Sequence, residues 1–199
     1  GASTVEGKLT KVGRAMSLFP LDPRLSRMLL ASVEERCTND VLIAVAALAV
    51  QDPRIRPQEK RDAADLAHVR FRDPVSDFVS FLRIWSLWKS ENRDESGKEL
   101  GSSAKRRWCE KNFLSYQRVR EWTDTILQLK ELLAEHCSVR VGEAAREVDQ
   151  GAFHRAVLAG FASHVGARTD KETPSNALAV SAPKVLLTAS TIAVVVVKS

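Results

Sequence analysis

Two stretches of the chain carry residue types suited to gripping a polyanion. Residues 54–72 hold six cations, Arg54, Arg56, Lys60, Arg61, Arg70 and Arg72, against three acids, Glu59, Asp62 and Asp65, a local charge of +3. Residues 102–122 hold six more, Lys105, Arg106, Arg107, Lys111, Arg118 and Arg120, against Glu110 and Glu121, a local charge of +4. Each stretch also carries aromatic rings: Phe71 in the first, and Trp108, Phe113, Tyr116 and Trp122 in the second. Cations that track phosphates, interleaved with ring faces on which bases stack, are the equipment of a single-stranded nucleic-acid site. The competing reading is ordinary architecture, with the rings in a core and the cations on its wet face. Spacing alone leaves both open.

Bond-making chemistry finds little to work with. A phosphate loop around Gly7-Lys8 would need Gly at position 2 and Ser or Thr at position 9, where Ala2 and Leu9 stand. There is no G-x-S-x-G and no H-E-x-x-H, and His68, His136, His154 and His164 never lie four apart, so no metal pair shares a helical face. Cys109 and Cys137 read as packing residues rather than nucleophiles. The three cysteines are an odd number without C-x-x-C spacing, and no N-x-S/T acceptor occurs, which favours a reducing, intracellular setting. No signal-peptide pattern opens the chain, and the most apolar run, Val185 to Val197, is interrupted by Thr188, Ser190 and Thr191 and is too short to cross a bilayer.

The elements that must hold these residues are mostly helices. With 199 residues, 44% apolar and 28% charged, the chain is long enough to bury a sizeable core, and its net charge of +5 is compatible with an anionic partner. Asp22-Pro23 predicts a capped helix to about Arg36, with Leu25, Met28, Leu29 and Val33 on one stripe. Thr38-Asn39-Asp40 predicts a second cap, before the uncharged helix Val41 to Val50 at the centre of the core. Pro53 and Pro57 impose an extended connection, followed by a helix from about Pro57 to Arg70. Asp73-Pro74 predicts another helix start, with Val75, Phe78, Leu82 and Trp85 in line. A polar loop over 89–103 leads to a short helix near Lys105 to Glu110. A long helix from Ser115 to His136 then carries Val119, Trp122, Ile126, Leu129 and Leu133 at intervals of 3, 4, 3 and 4, a packing seam. A helix is expected at Gly151 to Val165, and one or two strands at Lys184 to Lys198.

Four strings add a resemblance. Leu9-Thr10-Lys11-Val12-Gly13-Arg14-Ala15-Met16-Ser17-Leu18-Phe19-Pro20-Leu21-Asp22-Pro23, the Pro-flanked Gln51 to Pro57, the helix Phe71 to Trp88, and Trp108-Cys109 to Leu129 with Arg118, Arg120, Glu121 and Trp122 resemble, in this order, the helicase-associated region of DEAH-box ATP-dependent RNA helicases. The last string is most similar to the bacterial HrpA type. The tail after Thr169 departs from the OB-fold pattern of that family, although Ala182-Pro183-Lys184 is similar to one of its strands.

The resemblance implies a mainly α fold: the end of a degenerate winged helix and a first helix over 1–36, a ratchet-like helical bundle over 37–138, and a C-terminal helix with the onset or remnant of an OB-fold over 139–199. With the opening helices of the winged helix missing, residues 5–21 are expected to be poorly ordered or to pack differently. It implies a non-catalytic accessory region that lines the single-stranded RNA channel and braces the RecA-like ATPase core, in a cytoplasmic parent enzyme, away from membranes. The alternative is a purely structural docking module without RNA affinity. No cofactor is expected in this chain, ATP and Mg belonging to the parent's RecA-like domains. Candidate RNA contacts are Arg54, Arg56, Lys60, Arg61, Arg106, Arg107, Trp108, Tyr116 and Arg118, with no catalytic residue and no metal ligand.

Overall fold

The computed structural model describes residues 2–3, 7–74, 76–142, 148–161, 165–167, 185–188 and 193–196. Helices dominate: α1 (Lys11–Met16), α2 (Pro23–Glu34), α3 (Thr38–Ala49), α4 (Arg61–His68), α5 (Asp77–Glu91), α6 (Ser102–Lys111), α7 (Tyr116–Cys137) and α8 (Gln150–Gly160), with single 3-10 turns on either side of α4. The bundle forms because its apolar residues repeat at helical spacing and find partners. α3 has no charged residue after Asp40, and every side chain from Val41 to Ala47 is buried. The α7 seam buries all five of its predicted residues. Trp122 sits against α3 and donates its indole N–H to the Ile43 carbonyl at 2.9 Å, so the largest ring in the core is also hydrogen-bonded. Phe81 and Trp85 of α5 complete that contact.

Side-chain caps account for half of the eight helix starts among the described residues. The Asp22 carboxylate accepts from the Arg24 N–H, Ser115 from the Arg118 N–H, and Asp149 from the Ala152 N–H. Three predicted boundaries are corrected. α3 begins at Thr38 rather than after a Thr38-Asn39-Asp40 cap, with Cys37 as its unbonded N-cap. α5 begins at Asp77 because the Ser76 backbone is extended, φ −142° and ψ 116°; the Asp73 carboxylate accepts from the Ser76 N–H at 2.9 Å and from Arg83 at 2.7 Å, closing a turn ahead of the helix. α8 stops at Gly160, so the stripe Phe153, Val157 and Phe161 is buried as expected while Val165 belongs to a strand. The predicted helix from Pro57 to Arg70 is likewise split into a 3-10 turn at Gln58–Lys60, α4, and a second 3-10 turn at Val69–Phe71.

Close packing fixes the α2–α8 crossing. A Cβ at Gly160 would lie 2.4 Å from the Arg24 carbonyl oxygen and 2.6 Å from Met28 Cγ, so only glycine lets the two helices meet there. The expected loosening of residues 5–21 is not seen in its described part, 7–21: α1 is capped by Thr10, and Phe19 is buried in the core. Two of the three short strands, β2 (Val185–Thr188) and β3 (Ala193–Val196), fall where strands were expected. They pair antiparallel, and β1 (Val165–Ala167) joins β3 in parallel, giving the order β1-β3-β2. Val75, His164 and Ala182-Pro183-Lys184 lie outside the described residues. Among the described residues no helix is long and apolar enough to cross a membrane.

Candidate nucleic-acid interface

The two basic stretches, about fifty residues apart in sequence, meet at the turn between α6 and α7. Asn112 ends α6, buried, with its side-chain amide donating to the Trp108 carbonyl at 2.8 Å. Phe113 follows in the left-handed region, φ 52°, which reverses the chain in one step. Its carbonyl oxygen accepts from the Ile55 N–H at 2.8 Å and from His68 Nε2 at 3.1 Å, so His68 carries its proton on Nε2. Arg54 pairs with Leu114 as an isolated antiparallel bridge, and the Ser115 N–H donates to the Pro53 carbonyl at 2.7 Å. The prolines at 53 and 57 hold this segment extended, which exposes its backbone to exactly such pairing partners.

The first stretch pairs three of its five arginines with carboxylates. Arg54 is half-buried, paired with Asp52 at 2.7 Å, and lies over the Phe81 ring at 4.9 Å. Burial works against the Arg54 charge, but hydrogen bonding to Asp52, with further help from the charge of Asp77, more than restores it. Arg56 pairs with Asp65 at 2.5 Å. Arg70 is paired with Glu91, which also accepts from Trp108 Nε1 at 2.8 Å. Burial would raise the Glu91 pKa, yet the Trp108 and Arg70 bonds hold it below the ordinary range. Lys60 and Arg61 are exposed at the start of α4, and no ion pair holds them among the described residues.

In the second stretch the arginines meet rings and backbone. Arg106 lies over the Tyr116 ring at 5.4 Å. Arg118 Nη1 donates to the Asp52 carbonyl at 2.8 Å, tying α7 to the extended segment. Arg107 is exposed on α6. Trp108 is half-buried and packs on Trp88 at 5.5 Å and Phe71 at 6.4 Å, so its ring is part of the support rather than an open face. Tyr116 is half-buried beside Trp88. Its ring and the Arg106 guanidinium plane border an open groove of about 660 Å³ whose apolar side includes Ile55 and Leu114.

That groove is large enough for a nucleotide, and it offers a π surface, Arg106 and Arg120. It also holds Glu110, Glu121 and Asp124. Carboxylates at this position disfavour a phosphate deep in the groove and suit the amino groups of a base edge. Of these residues, Arg120 was legible in the basic stretch but not singled out, and Asp124 lies past its end. Helical spacing from Gln117 to Arg120, Glu121 and Asp124 was the signal that would have joined them.

Other candidate chemistry is not assembled. Burial pushes the Cys37 thiol up to about 11 and the Cys109 thiol up to about 12, so neither is a thiolate at neutral pH. Burial pushes His154 down from its ordinary value, and its Nε2 meets Ser76 Oγ at 3.0 Å. No group of three or more His, Cys, Asp or Glu is placed to hold a metal ion among the described residues.

Comparison with known proteins now bears on this geometry. Residues 22–120 match the family described as Helicase associated domain (HA2), ratchet-like. The chain is similar to the ATP-dependent RNA helicase HrpA homolog of Haemophilus influenzae, 40% identical over 158 residues, which is 79% of this chain and 12% of the relative. It is similar to the ATP-dependent RNA helicase HrpA of Escherichia coli, 40% identical over 166 residues, 83% of this chain and 12% of the relative. The pre-mRNA-splicing factor ATP-dependent RNA helicase prp22 of Schizosaccharomyces pombe is 30% identical over 180 residues, 89% of this chain and 14% of the relative. The chain thus spans only 12% to 14% of the length of these relatives.

Proposed function

The chain belongs through residues 22–120 to the ratchet-like helicase-associated domain family, as the C-terminal region of a HrpA-type DEAH-box helicase, and from that premise we propose that it forms non-catalytic wall along a single-stranded RNA path. The observation that supports this most is the α6–α7 turn, where the backbone of the first stretch bonds to the start of α7 beside an open groove lined by Arg106, Tyr116 and Arg120. In this reading Arg106 and Tyr116 present a stacking surface, Arg120 lines the groove, and Arg107, Lys60 and Arg61 take phosphates along its approaches. Arg54, Arg118 and Trp108 hold the segments that shape the groove, and Arg56 contributes its exposed edge. ATP and Mg act in the parent's RecA-like domains, which this chain braces, and the parent works in the cytoplasm.

The measurement is binding of a labelled single-stranded RNA to the chain between about 50 and 200 mM salt. The expected result is a salt-sensitive affinity that falls when Arg106 and Arg107 are both changed to Ala. Salt-insensitive binding, or no effect of that pair, sinks the reading. A second reading is favoured by the ion pairs of Arg54, Arg56 and Arg70: the module is a brace without RNA affinity of its own. Tight association with a separately expressed ATPase core, alongside no RNA binding, selects it.

A further inference from the structure

A larger groove, of about 800 Å³, runs between α5 and α7. Leu127 and Lys130 line it, whereas Arg120 and Asp124 line the first groove, so at 100° per residue the two open roughly a fifth of a turn apart around α7. Its floor is aliphatic in part, with Ile43, Val79, Leu82 and Ile126 buried beside the polar Asn39, Ser86 and Thr123, and Leu127 standing on the lip, 55% exposed. Four cations border it: Arg83, Lys89, Arg93 and Lys130. Among the described residues the one carboxylate in the lining is Asp40, buried and shifted by desolvation toward its neutral form.

Not all of that charge is spoken for. Arg83 pairs with Asp73 and Lys89 with Glu99. Among the described residues no carboxylate pairs with the side chain of Arg93 or Lys130, and Lys130 reaches only the Gly142 carbonyl, at 3.4 Å. A nucleic acid would find cations here and one ring. The single aromatic lining residue, Trp85, has Trp122 against it at 5.2 Å and the Lys89 ammonium over it at 5.9 Å. Aliphatic floor and cationic rim together match a helix with a leucine stripe flanked by carboxylates. From Val79 to Ser90 the α5 wall runs for about 17 Å, room for roughly three turns of such a helix.

We infer that the α5–α7 groove is a docking site for an acidic amphipathic helix, its apolar stripe on Leu127 and its carboxylates on Arg93 and Lys130. This inference stands apart from the RNA reading. Its test uses the full chain and three fluorescent probes: a helical peptide of about 14 residues with Leu at i, i+3 and i+7 and Glu on both flanks, the same peptide with Lys for Glu, and a single-stranded RNA of about 12 nucleotides. The acidic peptide is expected to bind, and the Lys peptide is not. Arg93→Glu with Lys130→Glu should weaken the acidic peptide about tenfold or more and Leu127→Ser several-fold, with RNA affinity within about twofold of the parent chain. Should the double reversal melt early, Arg93→Ala, at an exposed position, reads the same contact. Peptide affinity indifferent to these changes, or absent at about 100 µM, overturns the site. Loss of RNA binding instead would give the groove to nucleic acid and overturn it equally.

Discussion

Residues 54–72 and 102–122 carry six cations each and meet at the same turn, yet their arginines find different partners. In the first stretch Arg54, Arg56 and Arg70 each hold a carboxylate. In the second, Arg106 covers a ring, Arg118 holds a carbonyl oxygen, and Arg106 and Arg120 border a groove. The lesson is that a charge count measures supply and not availability. Asp52, Asp65 and Glu91 decide which arginines remain to meet a ligand, and Asp52 and Glu91 fall outside the first window that made the stretch look basic.

The widest break in this contrast comes from the joint between the stretches. Trp108→Ala removes a ring packed on Phe71 and Trp88 together with the bond to Glu91, and should cost about 3 kcal/mol, read as a lowered denaturation midpoint. A loss under about 1 kcal/mol would mean the two stretches are held together elsewhere. Next in size, Arg106→Ala with Arg120→Ala should weaken RNA by about tenfold and flatten its salt dependence, while Arg54→Ala leaves both nearly unchanged. Equal losses from the two sets would erase the distinction between paired and available cations.

Arg54→Ala should register instead in stability, by about 1 kcal/mol, because a half-buried guanidinium loses Phe81 and Asp52 together. The smallest effect concerns Glu99, which pairs with Lys105 and Lys89 and whose carboxyl is brought down to about 2, first by the Lys105 bond and then by Lys89. A depressed folded pKa contributes stability above the ordinary value of 4.5 and loses it as pH falls toward about 2. Because Glu99 is half exposed, the contribution is modest. Glu99→Gln should therefore make the melting temperature slightly less dependent on pH within that window, and an unchanged acid slope would show that the pairs carry nothing.

Much of the bundle was legible because it follows from local rules. The 3-4-3-4 seam of α7, the uncharged α3 and the Asp22-Pro23 start need only helical periodicity and side-chain caps. The start of α5 was not legible, since Asp73 has the type of a cap but its carboxylate answers to Ser76 and to Arg83, ten residues on. Val165, the first residue of β1, was read into the preceding helix because it continues the apolar stripe of Phe153, Val157 and Phe161. At the candidate site, residue types marked the right neighbourhood, with Arg106 and Tyr116 in the groove. The fate of Arg56 depends on a partner nine residues away, across a turn whose shape no local spacing gives.

Gly160 carries a consequence for the end of α8. With a carbonyl oxygen 2.4 Å from where the next carbon would stand, the α2–α8 crossing has no slack, and Gly160→Ala would have to lever the two helices apart. The last turn of α8 is consequently held at a surveyed point, and a single hydrogen atom at residue 160 acts as the benchmark for where that helix ends against α2.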